Sequence, residues 1–199
     1  MSKIFDNQQR VWQRMLSGRR LDLINPAPID VELEDIAHGL SRVARWNGQT
    51  TGEHIYSVAQ HSLLVERIIS ILNPDLDKSI QLAALIHDAP EYVIGDMISP
   101  FKAIIGGTYK EVEARLMSAI HVYFKLPASA PKSVSRLVKE ADQHAAYFEA
   151  SHLAGFSEEE ALELFGKPKI GTKQISDLLH PKPIAEVQAA FLKRAAELM

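Results

Sequence analysis

Apolar residues recur along most of this chain at intervals of three and four, the spacing that gathers them on one face of an α-helix. Leu33, Ile36, Ala37, Leu40 and Val43 predict a helix within residues 30–44, and Val58, Leu64, Val65, Ile68, Ile69 and Leu72 predict another over 56–72. Residues 77–93 form the most apolar stretch, with Ile80, Ala83, Ala84 and Ile86 marking a buried helix. Two longer stripes follow: Val112, Leu116, Ala119, Ile120 and Tyr123 within 109–124, then Leu137, Val138, Ala141, Ala145 and Phe148 within 134–153. A short first helix is expected over 5–16 and a terminal one over 184–199. Between them the punctuation is conventional: Asn25-Pro-Ala-Pro, Asn47-Gly48, Asn73-Pro74, Gly95 and Ser99-Pro100 close one segment and release the next. Residues 155–183 carry more Gly, Pro and Lys and give no firm assignment beyond a helix start at Ser157-Glu-Glu-Glu. Strand signals are scarce. The expectation is an all-α fold, one helical domain over 1–199 with residues 155–199 as an elaboration.

Composition narrows the function classes. The 199 residues are 46% hydrophobic and 24% charged, enough for a sizeable core. A net charge of −3 argues against a global attraction to nucleic acid or anionic membrane. The Arg19-Arg20 pair and lysines 167, 169 and 173 read as solvated faces rather than a nucleic-acid track. With no cysteine, disulfides and thiolate metal sites are excluded, so any metal must be held by His, Asp and Glu. No apolar run approaches the roughly 18–20 residues of a membrane span. The opening MSKIFDNQQRVWQRM is too polar for a signal peptide. A soluble, cytoplasmic protein without membrane or nucleic-acid partners is expected.

Three features depart from this helical background. His87-Asp88 falls inside the apolar segment LAALIHDAPEYVIGD, where an unpartnered carboxylate costs several kcal/mol or more. A divalent cation is an efficient partner for both side chains. His61 stands on the preceding predicted helix and Asp142 on a later one, each beside core-facing positions. Singly, each has an ordinary reading as a helix histidine or a solvated acid. A helix bundle, however, can bring such residues to one point.

The order H…HD…D resembles the HD-domain metal-dependent phosphohydrolase superfamily. Arg45-Trp46, YSVAQHS, ALIHDAPEYVIGD and EADQHAAYFEA, spread over about residues 42–149, resemble more specifically the bacterial 5′-deoxynucleotidase branch. The resemblance implies an HD-type helical bundle with His61, His87, Asp88 and Asp142 as ligands of one divalent ion. Two imidazoles and two carboxylates suit Mn²⁺, Co²⁺, Fe²⁺, Ni²⁺ or Zn²⁺, and their charge of −2 neutralises it. It further implies hydrolysis of (deoxy)nucleoside 5′-monophosphates and a homodimer. A cyclic nucleotide, a dinucleotide, a dNTP, or a non-catalytic nucleotide-binding module are the competing readings.

Glu91, four residues after His87 and three after Asp88, lies close to both in helical geometry. The resemblance makes it and Asp96 the catalytic acids, against the plain readings of an exposed helix glutamate and a turn aspartate. Arg45 would grip phosphate and Trp46 line the nucleoside site, where a surface arginine and a core tryptophan are the bland alternatives. Pro90 is expected to kink the helix beside the ligands. Gln60 departs from the acidic residue common just before the first His in this branch, which leaves the tuning of that His open. His144, two residues from Asp142, is expected to be structural or on the surface.

Overall fold

A computed structural model describes residues 10–98, 101, 102, 104 and 107–199. The chain enters as an antiparallel hairpin, β1 (Trp12–Arg14) paired with β2 (Arg20–Asp22), Trp12 opposite Asp22. This corrects the helix expected over 5–16, of which residues 5–9 lie outside the described residues. Partner pairing overrides local preference here. Gly18, at φ 90°, makes the turn, and the Arg10, Arg14 and Arg20 guanidinium groups sit 4.8, 5.4 and 4.7 Å from the centre of the Trp12 ring.

α1 (Leu33–Leu40) is shorter than the predicted 30–44. The Ser41 hydroxyl turns back to the Ala37 carbonyl. The chain then leaves the helix to pair with residues ahead of α2 (Val58–Leu72): Val58 N–H donates to Val43 at 2.9 Å and Arg45 N–H to Tyr56 at 2.8 Å. Ser57 caps α2 through the Gln60 N–H at 3.3 Å.

The segment predicted as one helix over 77–93 is two: α3 (Lys78–Leu85) and the single turn α4 (Glu91–Ile94). Pro90 has no N–H to donate to Ile86, and residues 87–90 close with three-residue bonds instead, Glu91 N–H to Asp88 at 3.0 Å and Tyr92 N–H to Ala89 at 3.1 Å. The kink expected from Pro90 is a full break.

α5 (Gly107–Tyr123), α6 (Lys132–His152), α7 (Glu158–Phe165) and α8 (Ile184–Leu198) complete eight α-helices among the described residues. The expected stop at Ser99-Pro100 lies outside them. Ser157 and Glu160 form a reciprocal capping box at the start of α7, inside the unassigned 155–183. The fold is thus mostly α, with one small hairpin.

α2 is the axis of the core. Nearly every side chain from Val58 to Val65 is buried, and α3, α6 and α8 pack around it. Gln60 uses its amide as a pin: Nε2 donates to the Leu178 and His180 carbonyls at 3.0 and 2.7 Å, and Oε1 accepts from Lys182 N–H at 3.2 Å. Arg194 of α8 grips buried Glu66 of α2 through Nη2 at 2.6 Å and Nε at 3.0 Å. No helix among the described residues is long and apolar enough to cross a membrane.

Candidate metal centre

His61 projects from the first third of α2, and His87-Asp88 from the break between α3 and α4. Asp142 lies midway along α6. The His61 Nε2 stands 3.3 Å from the His87 Nε2. Asp88 Oδ2 lies 3.5 Å from the first and 3.4 Å from the second, while Asp142 Oδ1 lies 3.3 and 4.0 Å away. One donor atom each from His61, His87 and Asp88 fits within 4.8 Å of the others. Asp142 borders the group through the imidazoles without joining it on that measure.

The outer nitrogens decide what the inner ones can do. His61 Nδ1 meets Glu149 Oε1 at 2.5 Å, and His87 Nδ1 meets the Ala84 carbonyl at 2.8 Å. Both partners only accept, so both Nδ1 atoms carry hydrogen, and each ring in its neutral form turns the Nε2 lone pair inward. Two ring nitrogens facing across 3.3 Å need a proton or a cation between them. With two carboxylates adjoining, this N₂O₂ donor set fits a divalent cation.

The surrounding charges support such a role. Burial and Arg45 work against the His61 imidazolium, but Glu149, Asp142 and Asp88 outweigh them and hold its pKa well above the usual value. Burial alone would raise Asp88, yet His87, His61 and Arg45 bring it far below the carboxylate range. Asp142 and Glu149 are likewise lowered against burial, chiefly by His61.

Arg45 reaches the rim from a strained turn in which Trp46 and Asn47 adopt φ of 56° and 51°. Its Nη1 donates to Asp96 at 3.4 Å and lies 3.9 Å from Asp88, while Nε faces Glu149 at 3.5 Å. Burial disfavours its charge, but these carboxylates raise its pKa instead. Trp46 turns its N–H to Glu149 Oε2 at 2.9 Å and packs its ring on Phe156 and Phe165. Glu91 is 2% exposed, unlike an ordinary helix glutamate. Burial first, then Asp88 and Asp96, push its carboxyl up to about 8, against the pull of Lys102 at 3.3 Å. Asp96 is also raised, mainly by burial.

The structure therefore joins His61, His87, Asp88, Asp142, Arg45 and Asp96 in one chain of contacts, sets Glu91 near enough for Asp88 and Asp96 to raise its pKa, and links Trp46 to them through Glu149. Glu149 itself went unrecognised in the sequence. It follows Asp142 by seven residues, two turns along the same face of α6, and that periodicity was the available signal. Lys102 carried none. Gln60 answers the open question about His61: it serves the C-terminal segment, and the acid that orients His61 comes from α6. His144 is buried, with neither ring nitrogen bonded among the described residues.

A bundle whose separate helices present H…HD…D around one point defines the HD-domain class, whose members depend on a divalent metal. The profile of the family described as 5′-deoxynucleotidase YfbR-like matches residues 36–165, and the chain belongs to that family. It is 56% identical over 187 residues to an uncharacterized protein of Rhodobacter capsulatus, covering 94% of both chains. To the uncharacterized protein YfdR of Escherichia coli it is 32% identical over 98 residues, 49% of each.

Proposed function

We propose that the protein is a metal-dependent phosphomonoesterase that hydrolyses nucleoside 5′-monophosphates, deoxynucleotides foremost, to nucleoside and inorganic phosphate. The observation that carries this reading is the pair of inward-facing Nε2 atoms, 3.3 Å apart, set among carboxylates with Arg45 and Glu91 alongside. His61, His87, Asp88 and Asp142 would hold the ion. When bound, it supplies Lewis-acid polarisation of a phosphoryl oxygen and acidifies a water.

The chain's own groups supply the rest. Arg45 is preorganised: Asp96 takes Nη1 and Glu149 faces Nε, while Nη2 donates no hydrogen bond among the described residues and is left for a phosphate oxygen. Glu91, with its pKa near 8, keeps a proton at neutrality and can deliver it to the departing 5′-oxygen. Asp96 holds Arg45 in place and offers a second carboxylate at the sugar side. No Asp or Ser nucleophile motif accompanies these groups, so direct in-line attack by water fits the site better than a phosphoenzyme.

Phosphate release from dAMP tests the reading. Turnover should vanish with chelator, return with Mn²⁺ or Co²⁺, and be lost in Asp88→Ala. Undiminished turnover by Asp88→Ala rejects the assignment, and a panel in which cyclic nucleotides, dinucleotides or dNTPs outpace monophosphates reassigns the substrate.

A further inference from the structure

The two carboxyl oxygens of Glu91 stand in different circumstances. Oε1 lies 3.3 Å from the Lys102 Nζ, which donates to it. Oε2 is buried and has no hydrogen-bond partner among the described residues. An ammonium offers three N–H donors and no acceptor, so the oxygen that faces it accepts and has no use for a hydrogen of its own. In the protonated form of Glu91 the hydrogen is thereby directed to Oε2. Of the two oxygens, Oε2 is the one free to give a proton away.

Lys102 comes to this acid from another part of the chain. Its N–H donates to the Ile98 carbonyl at 3.0 Å, in a helical turn ahead of α5, and α5 steadies its side chain. Nζ donates to Glu113 Oε1 at 3.5 Å and stands 5.6 Å from the centre of the Tyr109 ring. Burial works against the charge on Lys102, but Glu91, Glu113, Tyr109 and Asp88 outweigh it and hold the pKa above lysine's usual value. The side chain is an ammonium at neutral pH. Burial, Asp88 and Asp96 disfavour the Glu91 carboxylate, whereas Lys102, ahead of Arg45, favours it. Without the lysine, a buried acid beside two carboxylates would hold its proton too tightly to release it.

We propose that Lys102 is a positioning residue for proton delivery: it pins Glu91 Oε1, leaves the proton on Oε2, and stabilises the carboxylate that remains once the proton has gone. This rests on the nucleotidase reading of the centre and deepens it by one residue. In that step the bond from phosphorus to the 5′-oxygen breaks, its electron pair going to the oxygen, which takes the proton from Oε2. The attacking water's oxygen forms the new bond to phosphorus and sheds a proton to solvent, and solvent returns a proton to Oε2.

Lys102→Met keeps the stem of this half-buried side chain and removes its charge. With dAMP and saturating Mn²⁺, kcat should fall about tenfold, a fraction of the roughly 10²–10⁴ that a general acid supplies. KM should stay near wild type, because Lys102 acts through Glu91. The alkaline limb of kcat should move up by about one pH unit or more, since the acid keeps its proton longer once the opposite charge is gone. Lys102→Arg, which keeps the charge, should bring the limb back. In a Glu91→Gln background Lys102→Met should cause no further loss, as expected of two residues in one unit. A limb that stays put in Lys102→Met, one displaced just as far in Lys102→Arg, or full additivity with Glu91→Gln overturns the role of Lys102. Should Lys102→Met fail to fold, Lys102→Gln must move the limb the same way. Wild type that releases no phosphate from any nucleoside monophosphate overturns the reaction instead. The pairing is then read without turnover, by carbon NMR of Zn²⁺-loaded protein with the Glu91 carboxyl assigned from Glu91→Gln: a titration that Lys102→Met moves upward upholds it, and an unmoved one refutes it.

Discussion

Glu149 orients His61 through one 2.5 Å contact, and neither group has water to fall back on, since both are fully buried. Glu149→Gln keeps the volume but weakens the acceptor and allows the amide to turn. Divalent-metal affinity should fall about 10–100-fold, the usual cost of losing the partner behind a ligating His, measured by calorimetric titration of chelator-stripped protein. Unchanged affinity would remove Glu149 from the site. Glu91 makes a second prediction through linkage. Its carboxyl sits near pH 8 in the folded chain against 4.5 for the free side chain. The metal-free fold thus keeps a proton that the unfolded chain has lost, and its stability should decline as pH rises from about 5 to about 9. Urea denaturation across that window checks it, and Glu91→Gln, which cannot lose a proton, should flatten the decline. A variant as steep as wild type would assign the titration elsewhere. At this scale the proximity of His61, His87, Asp88 and Asp142 was legible through the family resemblance that their types and order carry. Glu149 and Lys102 were not, because which acid backs which imidazole is decided by how helices pack.

Helix existence was legible in periodicity and helix ends were not. Stripes such as Leu137, Ala141, Ala145 and Phe148 specify one apolar face whatever lies opposite. Ends depend on partners: α1 stops early because residues 43–45 pair with 56–58, and that same pairing delivers Arg45 to the rim. The hairpin escaped notice because a three-residue strand carries little pattern, its stability coming from pairing and from arginines over Trp12. The short α4 is positioned from outside by α1. A Cβ added at Gly39 would lie 2.7 Å from Tyr92 Cβ and 2.9 Å from the Tyr92 carbonyl oxygen, and backbone cannot swing aside. Gly39→Ala should therefore cost about 1–3 kcal/mol, as overpacking does, or roughly 2–4 °C of Tm per kcal/mol at this size. Because α4 starts at Glu91, phosphate release should fall as well. A melt within 1 °C of wild type would show that α1 and α4 can separate freely.

The whole molecule is drawn together from two sides of α2. On one, Gln60 and the Glu66–Arg194 pair fasten the C-terminal segment with bonds complete in the protein alone. On the other, α2, the α3–α4 break and α6 meet at the donor groups, where His61 and Arg45 already face carboxylates and a divalent ion would add to the attraction. The first side should stabilise the chain regardless of metal, the second more when metal is bound. A ligand at 100 times its Kd adds about 2.7 kcal/mol to the folded state, so excess Mn²⁺ or Co²⁺ should raise the Tm of stripped protein by roughly 5–10 °C. Asp88→Asn should lose most of that increment, since it replaces a charged carboxylate donor with a neutral amide oxygen. Arg194→Met should lower the melting of stripped and loaded protein alike and keep the increment between them, because it weakens the brace and leaves every donor in place. Scanning calorimetry on the three proteins, with chelator and with metal, separates these outcomes. An increment that survives Asp88→Asn, or no increment in wild type, would mean that the meeting point of these helices is not where the ion binds.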